Sequence, residues 1–487
     1  MPRSPNGEFL NPGSAAAIPS MLTNQGYYAA MSTSEPAAGT VLEPLKKRLI
    51  AVWSLWSWGN ATVSAVMVTF VFGTYIADAV GPGGQGTQYL TTANTIAGLI
   101  IALTAPVIGQ RADNGGRRRR WLALNTLIVI ALVAACFFVK PDQAYLVLGV
   151  TLMATMTLFD EFANLNYNSM ITDIADSPRM GRVSGIGWGS GYLGGIAILA
   201  IVYFGLVAGE PPHLFGLGED EMVNVRAVAL VAAAWFLIFS LPLLLTPLKT
   251  ADQEVVQDRV SILESYRRLI GLVIGLWRED RNTFWFLVSS AIYRDGLSAV
   301  FTYGAILGVT VFGFTTSDIL LFGIAGNVAA ALGAFIGGWF DDRVGPRRVI
   351  ATCVTALILT AGLLCFLDVE RSLGGLVITP TSAFWVFGLM LCVFVGPAQS
   401  SSRAFLARLA PPSRAGELFG LYATAGRSVS FLTPGLIALL LFSAGGSDKA
   451  IILGVVVILS IGLATLTLVH NPTGPAKMRE HRVRVGS

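Results

Sequence analysis

Twelve long apolar runs, free or nearly free of charge, dominate this sequence and leave few folds open to it. A helix needs about 20 apolar residues to cross a hydrocarbon layer of about 30 Å. Backbone that faces lipid must satisfy its own hydrogen bonds, so such runs are helices. A membrane barrel would alternate apolar and polar residues instead. Six runs fill residues 45–248 and six fill 282–469, among them Tyr89–Gly109, Asn282–Phe312 and Phe384–Arg403. Residues 249–281 read as a linker, 1–44 as a disordered Pro/Gly/Ser/Ala-rich tail with no signal-peptide pattern, and 470–487 as a second tail. The expected fold is an all-α polytopic membrane protein with twelve transmembrane helices in two pseudo-symmetric six-helix bundles.

Hydrophobic residues make up 54% of the chain and charged ones 13%, against roughly a quarter charged in soluble domains. A soluble enzyme, a disordered scaffold and a nucleic-acid binder are thereby excluded as classes. Cys136, Cys353, Cys365 and Cys392 lie inside apolar runs and read as small buried hydrophobes. Placing the N-terminus inside assigns 25 Lys and Arg residues to cytoplasmic loops and only Lys140, Arg226, Arg371 and Lys449 to the opposite side. By the positive-inside rule, both termini and the linker are then cytoplasmic, at the cell inner membrane. In the linker, Ile262, Leu263, Tyr266, Leu269, Ile270 and Val273 make one apolar stripe, which predicts a helix lying on lipid.

Two internal repeats relate the halves. Gly109-x3-Asp113-x2-Gly116-Arg117-Arg118 follows the second run, and Gly338-x3-Asp342-x2-Gly345-x-Arg347-Arg348 follows the eighth, displaced by 229 residues. Arg179-x-Gly181-Arg182-x2-Gly185 precedes the fifth run, and Arg414-x-Gly416-Glu417-x2-Gly420 precedes the eleventh, displaced by 235. Duplicated transporter halves leave such traces. Glycine lets helices approach closely, and an aspartate either caps the next helix or pairs with a base across the halves. Asp113, Arg117, Asp342 and Arg347 are accordingly the expected gating residues.

The first repeat resembles the loop signature of the major facilitator superfamily, which implies two six-helix bundles alternating around a central cavity. Longer segments resemble one branch of it, the autophagy-related vacuolar amino-acid effluxers and their bacterial relatives. They are Leu55-Trp-Ser-Trp-Gly-Asn-Ala61, Gly185-x-Gly-Trp188-x3-Tyr192-Leu-Gly-Gly195, Tyr293-Arg-Asp-Gly-Leu297, Gln399-x3-Arg403-x5-Leu409-x-Pro411 and Glu417-Leu-Phe-Gly-Leu-Tyr422. The resemblance implies a small-molecule transporter. Where the family usually has an acidic residue, this chain has Ser57, so that carboxylate's role does not carry over.

A charge at the bilayer centre costs roughly 2.5 to 3.5 kcal/mol on insertion scales, so each needs a reason. Asp160 and Glu161 fall in run four, Arg294 and Asp295 in run seven, and Glu417 and Arg427 in run eleven; Arg403 ends run ten. Arg294 and Asp295 point about 100° apart on one helix, so each wants a partner elsewhere, with Asp160 or Glu161 the natural one for Arg294. No histidine lies deep in a span. A proton relay must therefore use carboxylates, Asp295 first, then Asp160 and Glu161. Asn60, Asn164, Asn168, Arg294, Gln399 and Arg427 are the expected substrate contacts.

No phosphate-binding loop, pore-loop repeat, HExxH or nucleophile with a base is present. The reading is a monomeric secondary active transporter, not an enzyme and without a cofactor. Its partners are a small amino acid-like or drug-like solute, protons and membrane lipid, with no nucleic acid. A sensor on the same fold and a membrane-embedded enzyme are the alternatives.

Overall fold

The computed structural model describes residues 38–113, 117–246, 262–373, 376–443 and 449–471. Residues up to Arg48 form one unit and those from Leu49 onward another. Helix α1 (Ala38–Thr62) starts inside the segment read as a tail. The rest of that tail, 1–37, lies outside the described residues, as do 247–261 of the linker and 472–487 at the C-terminus.

Beyond Thr62 the first span continues in π-helical turns, Val63–Phe70 and Ile76–Val80, around the short α segment Phe72–Tyr75. The first half is completed by α2 (Gln85–Asp113), α3 (Arg118–Ala135), α4 (Leu146–Ser169), α5 (Met180–Val202) and α6 (Val223–Leu245). Then come α7 (Ile262–Glu279), α8 (Arg281–Thr310), α9 (Thr316–Val344), α10 (Pro346–Leu364) and α11 (Pro380–Leu409). The chain ends in α12 (Ala415–Val429), α13 (Leu432–Ser443) and α14 (Lys449–Leu466). A two-stranded hairpin, Arg371–Leu373 against Leu376–Ile378, decorates the loop after α10.

Among the described residues, eleven helical stretches are long and apolar enough to cross a membrane, with α12 and α13 counted as one span. The twelfth span of the sequence reading, α8, is absent from that set because Arg294, Asp295 and several serines dilute its apolar content. Its 30 residues still reach about 45 Å at 1.5 Å per residue.

Local signals explain the helix starts. Thr315 and Asp318 form a reciprocal capping box at the start of α9, and the bonds from Thr315 hold the Asp318 carboxyl below its usual pKa. Thr379 and Ser382 do the same for α11, where Pro380 takes the first helical position.

The first half is organised around a stack in which Tyr167 lies 4.4 Å from both Trp53 and Trp56, ring to ring. Trp53 donates to the Tyr167 carbonyl and Trp56 to the Thr126 hydroxyl, each at 3.1 Å. Glycines set how the helices meet. On α5, a Cβ at Gly185 would meet backbone of Ala334 and Gly338 on α9, while one at Gly194 would meet Trp58 backbone on α1. Cysteines 136, 353 and 392 are buried and all four are free. On α7, Leu263, Ile270, Val273 and Ile274 are exposed, an apolar face of the kind that rests on lipid.

Candidate functional site

The two repeats interlock crosswise. At the end of α2, the Asp113 carboxylate accepts the backbone N–H groups of Gly416 (3.0 Å) and Glu417 (2.8 Å), the first turn of α12 in the opposite half. At the end of α9, Asp342 accepts those of Gly181 (2.8 Å) and Arg182 (3.2 Å), the first turn of α5. First-turn N–H groups have no partner within their own helix, and the positive end of the helix dipole favours an anion there. Glycine makes both approaches possible: a Cβ at Gly109 would meet the Gly416 carbonyl, and one at Gly338 the Gly181 carbonyl.

The guanidinium groups at this mouth differ from those the repeat suggests. Arg117 is exposed, and its neighbour Arg118 holds Asp113 (2.6 Å) and Asp173 (3.1 Å) and also bonds the Pro412 carbonyl of the other half. Arg347 turns back to its own half, donating to the Leu466 (3.4 Å) and Thr467 (3.2 Å) carbonyls. Asp342 is instead held by Arg408 (3.1 Å) and by Arg182 (3.0 Å). Arg408 also pairs with Asp341 and donates to the Ser177 carbonyl across the halves. A run of four arginines hides which one turns inward, and Arg408 stands outside both repeats.

Midway along the spans lies a second polar group. The Asn60 amide donates to Asp160 at 2.5 Å, and Asn164 donates to the other Asp160 oxygen at 3.1 Å. Glu161 pairs with Arg427 across the halves at 3.1 Å. The partner of Glu161 is thus Arg427, not Arg294. Arg294 lies over the Tyr422 ring, 3.8 Å from its centroid, and its buried Nη1 has no hydrogen-bond partner. Asp295 accepts the Thr433 backbone N–H (2.9 Å) and hydroxyl (2.6 Å), bracing the first turn of α13 just past the break at Ser430 and Phe431. Sequence reasoning misses Thr433, although a threonine before Pro434 inside an apolar run signals a helix start. Gln399 is half-buried on α11.

Asn168 does not join Asp160 and Asn164. It accepts a 2.9 Å bond from Arg403, which is buried between the halves rather than ending its span, because α11 runs on to Leu409. Among the described residues, the hydrogen bonds linking the two six-helix halves run from this midpoint (Glu161 with Arg427, Thr424 to the Ala102 carbonyl at 2.8 Å) to the Asp113 and Asp342 mouth.

The family model described as "Vacuole effluxer Atg22 like" matches residues 85–477. An uncharacterized MFS-type transporter of Bacillus subtilis, YxiO, is 26% identical over 435 residues, 86% of this chain and 94% of that protein. Autophagy-related protein 22-2 of Aspergillus clavatus is 24% identical over 280 residues, and the matched region spans 43% of its length. Two solved structures share the fold. The proton:xylose symporter XylE has a TM-score of 0.66 at 12% identity, covering 87% of this chain and 96% of that one. FucP, solved in the outward conformation, has 0.63 at 15%, covering 88% and 99%. The chain is an all-α multi-pass membrane protein, and it belongs to the Atg22-like vacuole effluxer family within the major facilitator superfamily of transporters.

Proposed function

We propose that this chain is a proton-coupled secondary active transporter that carries a small amino acid-like or drug-like solute by alternating access. One observation carries the reading. The halves are tied through carboxylates at one mouth, while Asp160, Glu161, Arg427, Arg294 and Asp295 sit midway along spans where charge is costly. Opening that mouth breaks the bonds at Asp113 and Asp342, which gives these two residues, with Arg118 and Arg408, the gating role.

Asp160 and Asp295 are held by amide, hydroxyl and backbone donors. Among the described residues neither is within ion-pair distance of a guanidinium, and proton coupling is assigned to these two. Glu161 joins them when its pair with Arg427 parts. Asn60, Asn164, Arg294, Arg427 and Gln399 line the path of the solute. The protein works as a monomer in the cell inner membrane, with both termini, the mouth and α7 on the cytoplasmic side and the α7 apolar face on lipid.

The test is solute flux in proteoliposomes driven by a pH gradient alone. Asp295→Asn and Asp160→Asn preserve size and hydrogen bonding but cannot titrate. At least one should abolish driven uptake while counterflow exchange persists; concentrative uptake by both variants would overturn proton coupling at these groups. For orientation, an impermeant thiol reagent on whole cells should label a single cysteine at Gly216 and spare one at Arg278. The reverse pattern would overturn the topology.

A further inference from the structure

Arg403 is almost fully buried, and among the described residues no carboxylate pairs with it. Its charge rests among aromatic rings and neutral oxygens. The guanidinium carbon lies 4.9 Å from the Trp53 ring centroid, 5.7 Å from that of Trp188 and 5.8 Å from that of Tyr167. Nε donates to the Ser184 hydroxyl (2.9 Å), Nη2 to the Ser184 carbonyl (2.6 Å) and Nη1 to Asn168 Oδ1 (2.9 Å). Three aromatic rings around the guanidinium, with converging neutral acceptors, make a cation cage, the arrangement by which proteins hold guanidinium and alkylammonium groups. Space for it is kept by Gly187, where a Cβ would lie 2.5 Å from the Trp53 ring and 2.7 Å from the Arg403 Nη2.

Every wall of the cage belongs to one half: Trp53 on α1, Tyr167 and Asn168 on α4, Ser184 and Trp188 on α5. The cation comes from the other half, on α11. Arg403 precedes Arg408, which sits at the gated mouth, by five residues, about 7.5 Å along a helix. Separation of the halves at that mouth withdraws the guanidinium and leaves the rings and acceptors in place.

We propose that the cage of Trp53, Tyr167, Trp188, Asn168 and Ser184 is a binding site for an organic cation with a guanidinium or small alkylammonium head, filled by Arg403 in the closed state and open to solutes from the Asp113 and Asp342 mouth once the halves part. An external cation and Arg403 then compete for one place, so such a ligand holds the mouth open. The site goes beyond the transport reading and does not depend on proton coupling.

The probe is methylguanidinium, titrated by calorimetry into the purified full-length protein in detergent, with sodium at equal ionic strength as the control. Arg403→Ala vacates the cage and should bind the probe saturably, at least tenfold more tightly than the wild type. Adding Trp188→Ala should remove that gain. Asp342→Ala keeps Arg403 but loosens the mouth, so its apparent affinity should also rise, in proportion to the open fraction. This second variant decides between the outcomes if Arg403→Ala does not fold. Equal affinity in the wild type and in whichever of these two variants folds, or a gain that survives loss of Trp188, would overturn the site.

Discussion

The two halves of the mouth are built on one backbone plan and two different sets of charges. At Asp113 and at Asp342 the plan repeats: a glycine four residues earlier lies against an opposing glycine carbonyl, and the aspartate accepts two first-turn N–H groups. The guanidinium that holds the carboxylate does not repeat. In the first half it is Arg118, which bridges Asp113 and Asp173. In the second half the position 235 residues beyond Asp173 is Arg408, so the charge is inverted there, and it is this arginine that binds Asp341 and Asp342. Arg347, the counterpart of Arg118, is left to cap carbonyls of its own half. The contact between halves is thus carried by helix ends and glycines, and the side-chain charges are exchangeable supports.

That distinction ranks the substitutions. Gly109→Val or Gly338→Val should disturb the closed mouth most, because the obstructing atoms are backbone of the opposite half and cannot rotate away. Distances between spin labels across the mouth should lengthen for nearly the whole population. Asp342→Ala and Asp113→Ala come next. Each deprives two first-turn N–H groups of their acceptor, at about 0.5 to 2 kcal/mol apiece, and takes one of two carboxylates from a buried guanidinium, enough to move the open fraction tenfold or more. Asp→Asn at either position keeps an acceptor oxygen and should recover part of the closed population.

Smaller still is Arg118→Gln against Arg408→Gln. Both side chains are about a tenth exposed or less and each serves two carboxylates, but those of Arg408 are fully buried while Asp173 beside Arg118 is 29% exposed, so Arg408 should cost more closed population. Equal effects would mean that the charge sets are equivalent after all. The smallest effect belongs to Arg182→Ala. Its side chain is half-exposed, and an exposed pair contributes about 0 to 1 kcal/mol. Labels should shift barely beyond error, as they should for Arg117→Ala; a large shift at Arg182 would show that charge, not backbone, carries the contact.

How far the sequence reveals this depends on the kind of signal. Solid apolar runs report span number because the bilayer demands them, and the two offsets report the duplication, so the architecture and the matching places of Asp113 and Asp342 in the two halves are legible. Side-chain partners are not. Arg117 to Arg120 are interchangeable in a string of letters, and only the turn into α3 selects Arg118. Arg294 and Arg427 are equal suitors for Glu161 until helix rotation decides for Arg427. Arg403 reads as the end of a span because charge normally marks the interface; an aromatic cage contributed by three separate helices leaves no spacing to read.

The break after α12 divides the eleventh span into two members with different attachments. Helix α12 is pressed on α2 through Gly416 and Gly420. Helix α13 buries only Thr433 and Ile437, and its first turn is pinned by Asp295. A continuous helix would transmit any tilt of one end to the other; a jointed one does not. The far end of this span is therefore held by different neighbours, Asp295 on α8 and Gly454 on α14, from the end packed on α2. Asp295 on α8 braces its first turn, so replacing that carboxylate should reach α13 without touching the Asp113 contacts of α12.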